Sequence, residues 1–313
     1  MPTISRADRA ASLAFDFPGL RIGTAEYADG PTGCTVLRFD RKARMHVDPR
    51  GGAVCYAASS RSIEALGFAG GSVYGLDTLG GIRSALRDDG RNPTDWAQLP
   101  LVAGACVYDF VGRATTTTPD HLLGRQACLS AIEGHIPVGR HGAGAHATVG
   151  DAISVDRVEW GGQGAAFAQV GDVRVLVVTI VNALGAITDR AGRTVRGNRD
   201  PGTGDRADVL TEIRASLESG RTTQPPSGNT TVTALVTNVS LDDHELRDLA
   251  RAAHTAMARV IRPFHTPFDG DVLFALSTAE ISAGTLDPVS MSVLGGEVAC
   301  DAVLSITDQA VPR

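Results

Sequence analysis

GNTTVTALVTNV, residues 228–239, joins two unlike kinds of sequence and sets how the rest of the chain reads. Before it runs GRTTQPPSG (220–228), dense in the Gly, Pro, Ser and Thr of a loop. After the junction, TVTALVTNV (231–239) is β-branched and apolar, which predicts a buried strand. A hydroxyl residue at such a junction is suited to attack its own backbone, because the loop can strain the scissile peptide while the strand fixes the nucleophile. Thr230 Oγ is placed to attack the carbonyl of Asn229. After an acyl shift and hydrolysis, Thr230 would carry a hydroxyl and a free α-amine of pKa near ~8, a base beside the nucleophile. An Asn-Thr pair alone also fits an ordinary strand start. Asn229-Thr230-Thr231 and Asn238-Val239-Ser240 match N-glycosylation as well, which the lack of a secretory signal argues against.

Outward from this segment, VRVLVVTIV (173–181) predicts a strand covered on both faces, ending at Asn182. A helix is expected over 207–219, with Val209, Leu210, Ile213 and Leu217 on one face. Ser240 with Asp243 resembles a capping box. It would open a helix in which Leu246, Leu249, Ala253, Met257 and Val260 recur at helical spacing until Pro263. A loop (264–270) then leads to an apolar strand, 272–276. In the first half, 34–39 and 101–110 read as buried strands, and 72–87 as a buried helix behind Gly70-Gly71. No internal repeat or low-complexity tract interrupts this order, so residues 1–313 read as a single domain.

The bulk properties fit an enzyme. With 313 residues, 43% hydrophobic and 20% charged, a sizeable core is possible, and disordered or fibrous classes are excluded. The 36 glycines predict a loop-dense architecture. A net charge of −6 without a basic face argues against nucleic acid as a partner. Lys42 is the only lysine, so a lysine mechanism has one candidate. Cys34, Cys55, Cys106, Cys128 and Cys300 lack C-x-x-C spacing and read as reduced. Without a signal-like h-region or a membrane-length apolar run, the expected location is cytoplasmic, with no membrane partner. Gly142-x-Gly144-x-x-Ala147 is a weak dinucleotide fingerprint, lacking a strand before it and a helix after it. His141, His146, His244 and His254 show no metal-ligand spacing. Asp88-Asp89 and Asp242-Asp243 look like solvated helix ends.

GNTTVTALVTNV resembles the autocleavage segment of the L-aminopeptidase/D-esterase family of N-terminal nucleophile hydrolases, particularly its 6-aminohexanoate-oligomer (nylon-oligomer) endohydrolases. The likeness extends along the chain. FDFPGLRIGTAEY (15–27), GPTGCTV (30–36), DPRGGAV (48–54), AGGSVYGLD (69–77) and VYDF (107–110) are similar to the family's N-terminal blocks. GQGAAF (162–167), GDVRVL (171–176), DRAGRTVRGN (189–198) and IRPFHTPFDGDVLFAL (261–276) resemble its later ones.

The resemblance implies an α+β fold, a four-layer α/β/β/α sandwich of the ornithine-acetyltransferase type. It implies self-cleavage into an α chain, 1–229, and a β chain, 230–313, which stay together and assemble as a homo-tetramer of αβ units. It further implies a nucleophile at Thr230, Asp269 and Asp271 orienting its amine and hydroxyl, and Asn182 donating to the oxyanion. Tyr108, Thr231 and His265 would line the substrate. Read without the resemblance, the two aspartates also fit a solvated loop, Asn182 a turn, Tyr108 a half-buried core residue and His265 a structural histidine. The expected substrates are 6-aminohexanoate oligomers, with β-peptides or amino-acid amides as the alternative, and neither metal nor organic cofactor is implied. One position departs from the family: its catalytic lysine falls on Asp151 or Ala152. An unprocessed binding protein on the same scaffold is therefore the reading from another class.

Overall fold

A computed structural model describes residues 4–5, 12–220, 228–284 and 286–307. Most of the loop expected at 220–228, residues 221–227, lies outside the described residues. An eleven-stranded sheet dominates. Its main strands are β1 Leu20–Tyr27, β2 Thr32–Pro49, β3 Ser62–Ala69, β4 Val102–Cys106, β5 Gly162–Val170, β6 Val173–Asn182, β7 Thr230–Ser240 and β8 Val272–Ser282. The helices are α1 Asp77–Asp89, α2 His121–Leu129, α3 Val209–Glu218, α4 Asp243–Met257 and α5 Pro288–Leu304. Helices and a mixed sheet make the fold α+β. Among the described residues no helix is long and apolar enough to cross a membrane.

The sheet runs β5-β6-β7-β8-β2-β3-β4, with β1 paired to β2 off this path. Two pairs, β7/β8 and β3/β4, are parallel. Each parallel pair is connected through a helix, α4 in the first and α1 in the second, because parallel strands cannot be joined by a tight turn. The 18-residue β2 is the joint of the sheet. Its first half pairs with β1 and β3 and its last residues pair with β8, with a register irregularity against β3 between Arg38 and Ala43.

Three cores follow from strand alternation. Leu37, Phe39, Leu66, Phe68, Leu176, Val178, Ile180, Val232, Val236 and Phe274 form a central core containing no residue of α1 to α5. The opposite faces of β6, β7 and β8 send Val175, Val177, Leu235 and Leu273 against Leu246, Leu249 and Met257 of α4 and Val298 of α5. Val36 and Ala65 pack on Leu79 and Ile82 of α1 and on Leu123 of α2. A strand covered on both faces needs apolar residues at every position, which is why VRVLVVTIV shows no alternation.

Several local expectations shift. The capping box of α4 is built by Asp242, whose Oδ1 accepts from the His244 and Glu245 N–H groups while Glu245 accepts from the Asp242 N–H. Ser240 instead ends β7. The helix stops at Met257 rather than running to Pro263, because Ile261–Arg262 pairs as a short strand with Ala186 and Ile187. On α3 only Val209 is buried, while Leu210 and Leu217 are exposed. The strand expected over 101–110 is limited to β4, and the helix expected over 72–87 is a 3-10 turn, Ser72–Leu76, followed by α1. Gly142–Gly144 is likewise a 3-10 turn and opens no helix.

Candidate active site

Thr230 is the first residue of β7, and Asn182, the last of β6, is its partner across the antiparallel ladder. On the other side β8 begins its parallel pairing with Val232 opposite Val272, which leaves Asn229 to bridge Asp269 in the turn before β8. The sheet therefore brings 229–231, 182 and 269–271 to one place. Asn229, Thr230 and Thr231 are all buried.

The Thr230 hydroxyl donates to the carbonyl oxygen of Asn229 at 2.7 Å. The same oxygen accepts from the Gly270 N–H at 2.7 Å. Gly270 cannot carry a side chain as the turn stands. A Cβ there would lie 2.6 Å from Thr230 Oγ1 and 2.7 Å from the Ala53 carbonyl oxygen. The Asn229 N–H donates to the Phe268 carbonyl, and its side-chain Nδ2 donates to Asp151 Oδ1 at 3.0 Å. The residue before Thr230 is thus gripped on its N–H, its carbonyl and its side chain.

Asn182 accepts from the Thr148 N–H through Oδ1 and donates through Nδ2 to the Tyr108 carbonyl, both at 2.9 Å. An amide nitrogen carries two protons, so one remains for another acceptor. Tyr108 meets Asn182 through its backbone, and its half-buried ring lies edge-on to Phe110. The neighbouring Asp109 fixes that segment by accepting from Thr32 Oγ1, the Gly71 N–H and Arg113.

Asp271 does not bond the Thr230 hydroxyl. Its Oδ1 accepts from the Thr231 N–H at 2.8 Å, gripping the strand one residue beyond Thr230. Its Oδ2 accepts from the His265 N–H and lies 3.0 Å from His265 Nδ1. His265 has left-handed backbone, φ 60°, uncommon for a non-glycine residue. The local strain thus falls on the turn that presents the aspartates; neither Asn229 nor Thr230 has positive φ. Asp269 accepts from the Thr266 N–H at 2.9 Å and the Leu184 N–H at 3.4 Å. Thr231 Oγ1 is buried without a hydrogen-bond partner among the described residues.

Sequence reasoning missed Gly270 and Thr148 as contributors, and met Asp151 only as the position of an absent lysine. An aspartate closing the apolar, glycine-flanked run ATVGD (147–151) was the available signal. Asp151 is 2% exposed. Burial, followed by the charge of Asp269, pushes its carboxyl up to about 7. Burial and then Asp271 push Asp269 up to about 6. No lysine balances them: Lys42 Nζ bonds the Ala97 carbonyl at 2.9 Å and lies 3.3 Å from Glu64. A cavity of about 710 Å³ lined by His46, Tyr56, Arg61, Asp243 and Arg247 includes none of these site residues.

A carboxyl whose pKa is higher folded than unfolded contributes stability that is full below its unfolded pKa, near ~4, and is lost as pH rises through the folded value. For Asp151 the loss is complete a little above pH 7. In a Thr230→Ala background, Asp151→Asn should therefore raise unfolding free energy at pH 8 by on the order of 2 to 4 kcal/mol, and by little at pH 4. Urea unfolding at the two pH values measures this, and an equal effect at both would refute the burial account.

The sequence pattern of peptidase family S58 matches residues 14–313. The chain belongs to that family. It is 42% identical over 302 residues to the 6-aminohexanoate-oligomer endohydrolase of Paenarthrobacter ureafaciens, covering 93% of this chain and 85% of that protein. An uncharacterized aminopeptidase of Mycobacterium bovis is 34% identical over 288 residues, 85% of this chain and 81% of the relative. Among solved structures, the L-aminopeptidase D-Ala-esterase/amidase of Ochrobactrum anthropi, a variant of the Ntn hydrolase fold, superposes with a TM-score of 0.63 at 16% identity. That match covers 92% of this S58 family chain and 83% of the other. The family accounts for the likeness carried by the blocks from 15 to 276, and gives the chain a place among peptidases that break amide bonds.

Proposed function

We propose that this S58 family member cuts itself between Asn229 and Thr230 and then hydrolyses amides with Thr230, its substrates being 6-aminohexanoate oligomers like those in the name of its relatives. The observation that carries this reading is the Thr230 hydroxyl 2.7 Å from the Asn229 carbonyl oxygen, itself held by the Gly270 N–H. In the first step Oγ bonds the Asn229 carbonyl carbon, the C–N bond breaks, and the hydroxyl proton passes to the departing Thr230 nitrogen. Water then displaces Oγ, leaving a carboxylate on Asn229 and regenerating the hydroxyl beside a free α-amine. The Gly270 N–H stabilises the oxyanion of this cut.

In each later turnover the α-amine takes the Oγ proton and returns it to the leaving amine, and water releases the acyl group. Asn182 offers its remaining amide proton to the substrate oxyanion. Asp271 holds the strand behind the nucleophile, and Asp269 and Asp271 face the new ammonium. Tyr108, Thr231 and His265 border the substrate space, which opens when Asn229 withdraws. The three separate cores support a four-layer α/β/β/α arrangement. We place the protein in the cytoplasm as a tetramer of αβ units, with the small oligoamide as its partner.

The carboxylate of Asp151 favours a second reading, an unprocessed protein that binds amides without cutting them. One experiment separates the two. Denaturing electrophoresis with N-terminal sequencing should find a chain beginning at Thr230 in wild-type protein, together with amine release from 6-aminohexanoate oligomers. A single full-length chain after prolonged incubation would favour the binding protein. Two chains that act only on β-alanyl peptides or amino-acid amides would keep the nucleophile and replace the substrate.

A further inference from the structure

Under the reading that Thr230 accepts the acyl group, the first acyl group it receives is Asn229 itself. The space occupied by the Asn229 side chain therefore marks where the acyl part of a later substrate can lie. That side chain is fully enclosed, with Asn229 1% exposed, and its Nδ2 donates to Asp151 Oδ1 at 3.0 Å. Counted from the reacting carbonyl carbon, Nδ2 follows three carbons, Cα, Cβ and Cγ. A 4-aminobutanoyl group has its nitrogen at the same remove.

The acceptor at this position is not saturated. Asp151 Oδ2 is buried with no hydrogen-bond partner among the described residues, whereas both carboxylate oxygens of Asp269 and of Asp271 accept backbone or side-chain donors. A buried carboxylate oxygen without a donor is costly, and a cation delivered to it recovers a charge-assisted hydrogen bond in a site of low dielectric. Asn229 satisfies only one of the two oxygens, and it does so with a neutral amide.

We propose that Asp151 forms the floor of an acyl subsite, vacated when Asn229 withdraws, that binds a primary ammonium carried three carbons beyond the scissile carbonyl. Acyl donors of the 4-aminobutanoyl type fit it best. A 3-aminopropanoyl chain ends one carbon short. A 6-aminohexanoyl chain overshoots by two and must fold to place its ammonium, so it is cleaved more slowly. Asp151 thereby sets specificity, while Thr230 does the chemistry.

The test compares anilides of butanoic, 3-aminopropanoic, 4-aminobutanoic and 6-aminohexanoic acids on the processed wild-type protein, reading kcat/KM for each. The proposal expects the 4-aminobutanoyl anilide to exceed both its neutral butanoyl counterpart and the 6-aminohexanoyl anilide by at least about tenfold. Asp151→Asn, which keeps an oxygen to accept from Asn229, should collapse the ratio of cationic to neutral substrate. Asp151→Glu, which extends the carboxylate by one carbon, should move the optimum to 3-aminopropanoyl. Equal rates for butanoyl and 4-aminobutanoyl in the wild type would overturn the proposal, even where neither variant matures. So would an unchanged ratio in Asp151→Asn. Failure of the underlying reading looks different: no anilide is cleaved, the neutral one included, and no chain starts at Thr230.

Discussion

Thr230→Ala should remain a single chain of full length indefinitely and release amine from amides at least about 10³-fold more slowly than the wild type. The substitution removes the oxygen proposed to attack the Asn229 carbonyl carbon, and with the peptide intact the α-amine never becomes a base. Little else changes, since Thr230 is a buried strand residue whose backbone pairing with Asn182 does not need the hydroxyl. Thr230→Ser is the informative companion. Serine keeps the oxygen but loses the second branch at Cβ that restricts χ1, so its hydroxyl spends less time in the attacking rotamer. Slower maturation, within about tenfold of wild type, is expected for the serine variant, because that loss is one of rotamer population alone. Time courses of the two product bands measure both variants. A Thr230→Ala protein that still splits at this bond would place the nucleophile elsewhere.

Gly270→Ala should suppress maturation nearly as strongly, by about 10²- to 10³-fold, the range associated with losing one oxyanion donor. The new methyl would stand 2.6 Å from Thr230 Oγ1 and 2.7 Å from the Ala53 carbonyl oxygen, closer than such atoms approach. Either the hydroxyl is displaced or the turn moves and takes its N–H off the Asn229 carbonyl. Both routes disable the same step. Because the Ala53 N–H donates to the Asp269 carbonyl, movement of the turn should appear as a lower Tm as well. Normal maturation in a folded Gly270→Ala protein would show that this N–H has no part in the cut.

The elements that position Thr230 were legible because their chemistry is local. VRVLVVTIV and TVTALVTNV announce β6 and β7 by β-branching alone, and the start of the strand at Thr230 follows from composition. Gly270 was not legible, since its role rests on a backbone N–H, which leaves no side chain to notice. Asp151 was hidden for another reason. It stands 78 residues from Asn229 in the chain, and only the tertiary fold, with the Gly150 and Ala152 N–H groups bonding the Ala183 and Leu184 carbonyls just beyond β6, brings the two side chains within 3.0 Å. The start of α4 was misplaced by two residues because Ser240 and Asp242 are both acceptable caps, and the extension of β7 through Ser240 decides between them. The length of β2 was equally invisible: residues 34–39 read as one short strand, while pairing with partners on both sides carries it on to Pro49.

Under the proposed self-cleavage, the placement of β7 and β8 sets the order of events in the life of the molecule. Both follow the proposed cut, yet β7 is zipped to β6 and β8 to β2, strands that precede it. Scission between Asn229 and Thr230 would leave those ladders closed and the fragments interlocked. What vanishes is the tether that made their meeting intramolecular. A precursor can regain its shape at any dilution, whereas a matured molecule, once melted, must find its other half by diffusion. Recovery after denaturation should then depend on concentration in the mature protein alone, so that the cut acts as a ratchet, passed once and in one direction.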